Sequence, residues 1–191
     1  TIFTFIVIIN SFNLLDGING LSGSIALLIS LFIGVWYMLI GREEYAFLAF
    51  ALAGGVVAFL KYNFSPAKIF GGDTGAMILG LVCGILIIHF IEIHKYISGQ
   101  PYAFKSAPAV AIGILALPLF DTLRVFVTRM ILRRSPFKPD RLHIHHLLVD
   151  AGMTHMKATA TLVFVNATFM FMVFSLQTVG NYVLILIISL M

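Results

Sequence analysis

A polar, glycine-rich segment at residues 63–75 separates two strongly apolar runs and carries the residues best suited to chemistry. Gly71, Gly72 and Gly75 lack a Cβ, so the backbone can take positive φ and approach a ligand closely. A helix should begin after these glycines. The free N–H groups in its first turn favour the binding of phosphate. An acidic side chain beside an anion site suggests a bridging cation, and Asp73 would suit a hard Mg²⁺ ion. The same pattern also fits a plain glycine turn capped by Asp or Thr.

A second polar segment, residues 10–21, reads Asn-Ser-Phe-Asn-Leu-Leu-Asp-Gly-Ile-Asn-Gly-Leu. Its amides and its carboxylate must find hydrogen-bond partners, because a buried polar group left unpaired costs about 1–3 kcal/mol. The candidate binding residues are Asn13, Asp16, Gly17 and Asn19. The alternative is a pair of tight turns, since Asp-Gly and Asn-Gly are common turn pairs.

The third polar segment, residues 133–146, is basic and ends in His-Ile-His-His. On a helix His143 and His146 share a face while His145 points elsewhere, and no acidic residue stands at helical spacing, which argues against zinc. The combination of imidazoles and a guanidinium suits a diphosphate better than it suits zinc. Arg141 would donate two hydrogen bonds to it, and a histidine would donate a hydrogen bond or carry a proton. A solvated basic loop at lipid headgroups remains the alternative.

The composition explains how these segments must be positioned. The chain has 191 residues, of which 60% are hydrophobic and 10% charged, whereas a soluble domain carries about 25% charged residues. Five runs approach the roughly 20 apolar residues that span a bilayer: Gly20–Ile40, Tyr45–Leu60, Ala76–Ile91, Ala107–Leu132 and Ala158–Leu176. We therefore predict an all-α polytopic transmembrane bundle of about six helices, because barrel strands would be shorter and alternating.

Basic residues assign the sides of this bundle. The loops near residues 10–20, 61–74 and 133–157 fall on one face, on or near which lie nine of the twelve Lys and Arg residues. The positive-inside rule makes that face cytoplasmic. Lipid headgroups or a phosphorylated substrate account for the net charge of +4, so no nucleic-acid partner is expected.

Residues 1–191 are predicted to form a single membrane domain. Thr1–Ile9 and Tyr182–Met191 are apolar but too short to span a bilayer. We therefore expect this chain to be the C-terminal part of a larger multi-span protein, lacking its N-terminal helices.

Two further sets of polar residues are expected to have structural roles. Asp121 is the one clear acid within an apolar run, and Arg124 follows on the same helical face, so an ion pair is favoured over catalysis. His89, Glu92 and His94 fall at the opposite end of their helix, where snorkelling side chains are expected.

Taken together, the three polar segments resemble the polyprenyl-phosphate N-acetylhexosamine-1-phosphate transferase family, glycosyltransferase family 4. The residues that carry the resemblance are Asn13–Leu21, Asn63 with Phe70–Gly75, and His143–His146. The spaced histidines are similar to the branch that starts lipid-linked glycans, whereas the related phospho-muramyl-pentapeptide translocase has consecutive ones. Three such motifs in order on one membrane face are much more specific than any one alone.

The resemblance implies transfer of a sugar 1-phosphate from a UDP-N-acetylhexosamine, expected to be the N-acetylglucosamine derivative, to undecaprenyl phosphate, with release of UMP. It implies Mg²⁺, or Mn²⁺ in its place, as cofactor. It also places the protein in the bacterial inner membrane with the site facing the cytoplasm and surrounding lipid as a partner. Whether the protein forms a homodimer is not decided by the resemblance.

Residue roles follow from the same resemblance. Asp73 looks like the metal ligand, and Phe70 like the aromatic ring that stacks on uracil. Asn63 resembles the asparagine near the nucleotide diphosphate, and Asn19 stands where the family more often has an Asp that reads the uracil edge. The catalytic set implied is Asp16, Asp73, His143, His145 and His146, and the substrate-binding set is Asn13, Gly17, Asn19, Asn63, Phe70 and Arg141.

This sequence departs from the family in one motif, and one alternative function also fits its pattern. The family carries an Asp-Asp motif on an earlier cytoplasmic loop, and no adjacent aspartates occur in this sequence, so the piece alone should be inactive. A secondary transporter or channel is the alternative, because glycine-broken membrane helices with a buried acid also describe ion pathways. Clustering of the polar motifs on one face argues against it.

Overall fold

The computed structural model describes residues 1–133, 135 and 142–190, and in this part of the chain helices are the only regular elements. They are α1 (Ile2–Leu15), α2 (Leu21–Leu39), α3 (Glu43–Asn63), α4 (Gly72–Ile93), α5 (Ala107–Ile114), α6 (Ala116–Ile131), α7 (Ile144–Asp150), α8 (His155–Leu176) and α9 (Asn181–Leu190). The prediction of an all-α fold is confirmed. The described residues contain nine helices where about six were expected; the break in one apolar run and the short helix in the histidine segment account for two of the additional helices.

Four of these helices, α2, α3, α4 and α8, are long and apolar enough to cross a membrane. The pair α5 and α6 forms a fifth candidate span that is bent by 78°. Much of α3 and α8 is exposed in the bundle, where large apolar side chains such as Phe47, Phe164 and Phe171 point outward. Such a surface suits lipid, and the chain is a multi-pass membrane protein.

Small residues let the helices pack closely. A Cβ on Gly80 of α4 would lie 2.8 Å from the Cα of Ile9, so the backbones of α1 and α4 touch at this glycine. A Cβ on Gly34 of α2 would lie 3.1 Å from the Cβ of Ala49 on α3. Close backbone approach of this kind replaces the hydrophobic effect as the main source of helix association in lipid.

The apolar run Ala107–Leu132 was predicted as one helix, and it divides at Leu115. Pro118 has no N–H to give to the carbonyl of Ile114, four residues earlier. The Asn166 side chain on α8 replaces the missing bonds: its Nδ2 donates to Ile114 O at 3.2 Å, and its Oδ1 accepts the N–H of Leu117 at 2.9 Å. The bend survives at membrane depth because its freed backbone groups are paired.

The two ends of the bundle differ in character. The polar segments predicted to share a face meet at one end, through contacts described below. At the other end Trp36 donates from Nε1 to Tyr102 O at 2.9 Å, the His94 ring stacks on Trp36, and the His89 ring stacks on Tyr45. His89 and His94 therefore belong to an aromatic cluster away from the polar loops and do not snorkel.

Replacing Asn166 by leucine should destabilise the protein, because Ile114 O and Leu117 N–H would lose their buried partner. We expect the free energy of unfolding to fall by about 1–2 kcal/mol. The measurement is denaturant or thermal unfolding of the purified full-length protein in detergent. Thr168→Val is the matched control, since this exposed hydroxyl donates to Phe164 O of its own helix. Equal stability of Asn166→Leu and Thr168→Val would contradict this account of the bend.

Candidate functional site

The side chain of Asn63 joins two of the polar segments. It lies at the end of α3, only 5% exposed, and its Oδ1 accepts the N–H of Gly20 at 2.7 Å. Its Nδ2 donates to Ile69 O at 2.8 Å. Gly20 has φ +79°, a conformation that glycine adopts without strain. Asn63 was predicted to bind substrate, and that role stays a prediction; in this structure its amide holds the loop after α1 against the segment that leads into α4.

Asp16 lies immediately beside the start of α4. Ser22 donates its hydroxyl to Asp16 Oδ1, while Oδ2 lies 3.6 Å from the position that a Cβ on Gly71 would occupy. Burial raises the pKa of Asp16, the hydrogen bond from Ser22 opposes that rise, and the negative charge of Asp73 adds to it. The structure thus brings together the two acidic residues that the sequence predicted for the site.

The start of α4 is open to solvent. Gly71 is its N-cap, Gly72 follows with φ +58°, and Asp73 stands in the first turn. No side chain caps this helix start among the described residues, so the predicted capping by Asp or Thr is wrong. Phe70, just before it, is 75% exposed. First-turn N–H groups, a carboxylate and an uncovered aromatic face therefore lie next to one another.

The histidine segment docks on α6 through Asp121. Asp121 Oδ2 forms a hydrogen bond with Nδ1 of His143 at 2.8 Å, and Oδ1 accepts the N–H of Ile144 at 2.9 Å. The predicted ion pair with Arg124 is also present, at 3.1 Å. Asp121 therefore fixes the first turn of α7 in addition to pairing with its helical neighbour.

His145 connects the histidine segment to the loop after α1. It is 1% exposed, and its imidazole lies where a Cβ on Gly17 would be. Burial, followed by the nearby charge of His146, lowers the pKa of His145 to about 4. The ring is therefore neutral near pH 7, and as placed here it packs against Gly17 as an uncharged group.

The remaining predicted residues lie around this centre. Asn13 is half-buried at the end of α1, and Asn19 offers its carbonyl to the Thr159 hydroxyl of α8 at 2.8 Å. His146 is half-buried on α7 with its ring centroid 4.3 Å from that of His145. Arg141 lies outside the described residues. Residues from all three predicted loops thus approach one end of the bundle.

The contacts of three residues at this site could not be read from the sequence. Ser22 and Thr159 lie inside apolar helices, where a hydroxyl usually bonds to its own backbone and gives no signal. Asp121 was noticed as an intramembrane acid, but its nearest candidate partner in sequence was Arg124. Its bond to His143, 22 positions away, depends on how α6 and α7 meet.

An apolar groove extends from this site between α3 and α4. Its volume is about 260 Å³, and Asp16 and Ser22 stand at its polar end with Gly71 and Gly75. Phe59 and Leu79 line its apolar part. The groove places apolar surface directly beside the carboxylate of Asp16.

The groups that could hold a metal ion are few. No set of three or more His, Cys, Asp or Glu side chains is arranged to hold a metal ion within the described ranges. Asp16 and Asp73 are close enough for their charges to interact. Two carboxylates at an open helix start match a Mg²⁺ ion that takes its other ligands from water and phosphate.

The fold and this arrangement define a polytopic helical membrane protein with a polar site at one end of its bundle. Residues 1–91 match the family model described as Glycosyl transferase family 4. This match, together with the relatives described next, confirms the resemblance seen in the sequence.

Three relatives extend the similarity beyond residue 91. The decaprenyl-phosphate N-acetylglucosaminephosphotransferase of Mycolicibacterium smegmatis is 33% identical over 79% of this chain and 40% of its own length. The probable undecaprenyl-phosphate N-acetylglucosaminyl 1-phosphate transferase of Bacillus subtilis is 30% identical over 88% and 45%. The undecaprenyl-phosphate alpha-N-acetylglucosaminyl 1-phosphate transferase of Escherichia coli K12 is 30% identical over 83% and 42%. The chain thus spans less than half the length of each.

Adding a methyl group at Gly17 should displace His145, because the new Cβ would overlap its imidazole. We expect Gly17→Ala to lower the free energy of unfolding by about 1–3 kcal/mol. Combining it with His145→Ala should recover part of that loss, because the clash is removed. Thermal unfolding of the four full-length variants measures the coupling.

Gly54→Ala on α3 is the control for this cycle, since its added Cβ would have open space around it among the described residues, apart from the backbone of its own helix. It should leave stability unchanged or raise it slightly, as alanine favours helix over glycine. Strictly additive effects of Gly17→Ala and His145→Ala would show that the two residues are not in contact.

Proposed function

We propose that the whole protein transfers N-acetylglucosamine 1-phosphate from its UDP derivative to undecaprenyl phosphate, releasing UMP, to start a lipid-linked cell-envelope glycan. The three relatives support this proposal, because each is named as a transferase of N-acetylglucosamine phosphate with a decaprenyl or undecaprenyl phosphate. The proposal concerns the full-length protein, of which this chain carries one part.

The observation that carries the proposal is the approach of Asp16 to the open start of α4 beside Asp73. Free first-turn N–H groups attract phosphate, and two carboxylates beside them would repel it unless a cation intervened. This combination suits a nucleotide diphosphate that arrives with a divalent ion. It would be an unfavourable arrangement for an uncharged ligand.

We propose Mg²⁺, or Mn²⁺ in its place, as the bound cation, with Asp73 as its main protein ligand and Asp16 beside it. The ion would offset the negative charge that accumulates when two phosphate-bearing substrates meet. Burial of Asp16 is consistent with this role, because a nearby cation would stabilise a carboxylate that its surroundings otherwise disfavour.

The chain's own groups would then orient the substrates. The attacking oxygen of a lipid phosphate is already anionic, so the site must chiefly align it with the β-phosphorus of the sugar nucleotide and shield repulsion. The exposed ring of Phe70 offers a face for the uracil base. Asn63 would act by holding the backbone of both loops, since its amide is already hydrogen-bonded to each.

The position of the site suits a lipid acceptor. A polyprenyl phosphate has its phosphate at the membrane surface, and the polar loops lie at one end of apolar helices. The excess of basic residues near these loops favours the cytoplasmic side, where nucleotide sugars would be supplied.

The transporter alternative gains no support from the broken helix. A broken membrane helix can bind ions through freed backbone groups. At the break between α5 and α6, however, Ile114 O and Leu117 N–H are both bound by Asn166.

The test is release of UMP by the full-length protein from UDP-N-acetylglucosamine and undecaprenyl phosphate. We expect Asp73→Asn to lower kcat/KM at least about 100-fold, because the amide cannot replace an anionic metal ligand. Chelation of divalent ions should abolish release, and added Mg²⁺ should restore it.

Glu92→Gln is the matched control, since Glu92 is an exposed acid on the far end of α4, paired with Lys95. It should behave as wild type. Full activity of Asp73→Asn would overturn the metal assignment, and failure to form lipid product with any UDP-N-acetylhexosamine would overturn the proposed reaction.

A further inference from the structure

We infer that Asp121 is a positioning residue of this site, which holds the ring of His143 so that its Nε2 is the atom offered to a phosphate. The phosphate is identified through the proposed function, on which this inference therefore rests. The geometry that assigns the role to Asp121 stands on the structure alone.

The carboxylate of Asp121 has more donors than an ion pair with Arg124 requires. It is 5% exposed, and its Oδ1 accepts from the Ile144 N–H at 2.9 Å and from the Arg124 guanidinium at 3.1 Å. Its Oδ2 lies 2.8 Å from Nδ1 of His143, so two of its three polar contacts are with the histidine segment. Arg124 also donates to Leu142 O, so both α6 side chains hold the backbone that leads into α7.

The chemistry of imidazole then determines which nitrogen faces the ligand. A carboxylate that already receives a guanidinium and a backbone N–H is ionised and can only accept, so the hydrogen in the bond to His143 belongs to Nδ1. The other ring nitrogen, Nε2, lies on the far side of the ring from Asp121. It can donate to a phosphate oxygen when the ring is protonated, or accept from a phosphate hydroxyl when the ring is neutral.

Nε2 of His143 is also in need of a partner. The atom is buried, and none of the described residues forms a hydrogen bond with it. Buried polar atoms are nearly always paired in folded proteins, and an exception points to a ligand or a water molecule. The His143 ring is parallel to that of His145, with centroids 5.8 Å apart, and His145 in turn contacts Gly17 beside Asp16.

A purely structural role for Asp121 makes a different prediction. If the carboxylate served only to dock α7, an amide that still accepted the Ile144 N–H would suffice, and the tautomer of His143 would not matter. If Asp121 positions the ring, loss of its charge changes both the tautomer and the turnover number.

The first measurement is nitrogen-15 NMR of ring-labelled histidine in the full-length protein in lipid at pH 8.5, above the ordinary pKa of histidine. The His143 signals are assigned by their loss in His143→Gln. We expect the hydrogen on Nδ1 in the wild type. We expect the same in Arg124→Gln, because that variant leaves the bond between His143 and Asp121 in place. A wild-type ring with hydrogen on Nε2 would overturn the inference whether or not any variant folds.

The second measurement is steady-state kinetics of Asp121→Asn with the same two substrates. We expect kcat to fall about 10- to 100-fold, as for other residues that orient a ligand-binding histidine, while KM for the sugar nucleotide changes less than about threefold. The His143 signal should move toward hydrogen on Nε2.

The two sets of outcomes separate this inference from the proposed function. Wild-type kinetics or an unchanged His143 tautomer in Asp121→Asn would overturn the positioning role and leave the transferase proposal intact. Absence of transferase activity in the wild type would overturn the proposed function, while the NMR result would still decide whether Asp121 sets the tautomer.

Discussion

The hydrogen bonds of one buried side chain, Asn63, hold together the part of the molecule on which the site depends. The amide connects Gly20 of one loop to Ile69 of another, and these loops carry Asp16 and Asp73 respectively. Glycine at position 20 permits this approach, because a Cβ there would lie 2.5 Å from the ring of Phe64. Without such a connection, two acidic residues would tend to move apart, because their charges repel and burial already disfavours the ionised form of Asp16.

The histidine segment is attached to the same centre by a separate set of contacts. Asp121 fixes His143 and the start of α7, and His145 then lies against Gly17. The orientation of α6 depends in turn on the break at Leu115, which Asn166 makes tolerable inside the bundle. Asn166, a polar residue deep in α8, therefore supports a site at the end of the bundle, because it stabilises the bend that sets the direction of α6.

The sequence was sufficient to predict the all-α membrane fold, the membrane runs and the family, because apolar length and three ordered motifs are local properties. It also placed Asp16, Asp73 and the histidines together. It could not reveal the bend at Leu115, since a proline inside an apolar run is compatible with either a kink or a straight span until its partner on α8 is known. The roles of Asn63 and Asp121 were missed for the same reason: each is defined by partners from distant segments.

The central claim is that Asp16 and Asp73 form one cation site at the start of α4. It is tested most directly by Mn²⁺ binding to the full-length protein, followed by electron paramagnetic resonance, in wild type, Asp16→Asn, Asp73→Asn and the double variant. The account predicts that each single change weakens binding about tenfold or more and that the double change adds little further, as for two groups acting on one ion. Independent, multiplying losses, or wild-type affinity in Asp16→Asn, would contradict it.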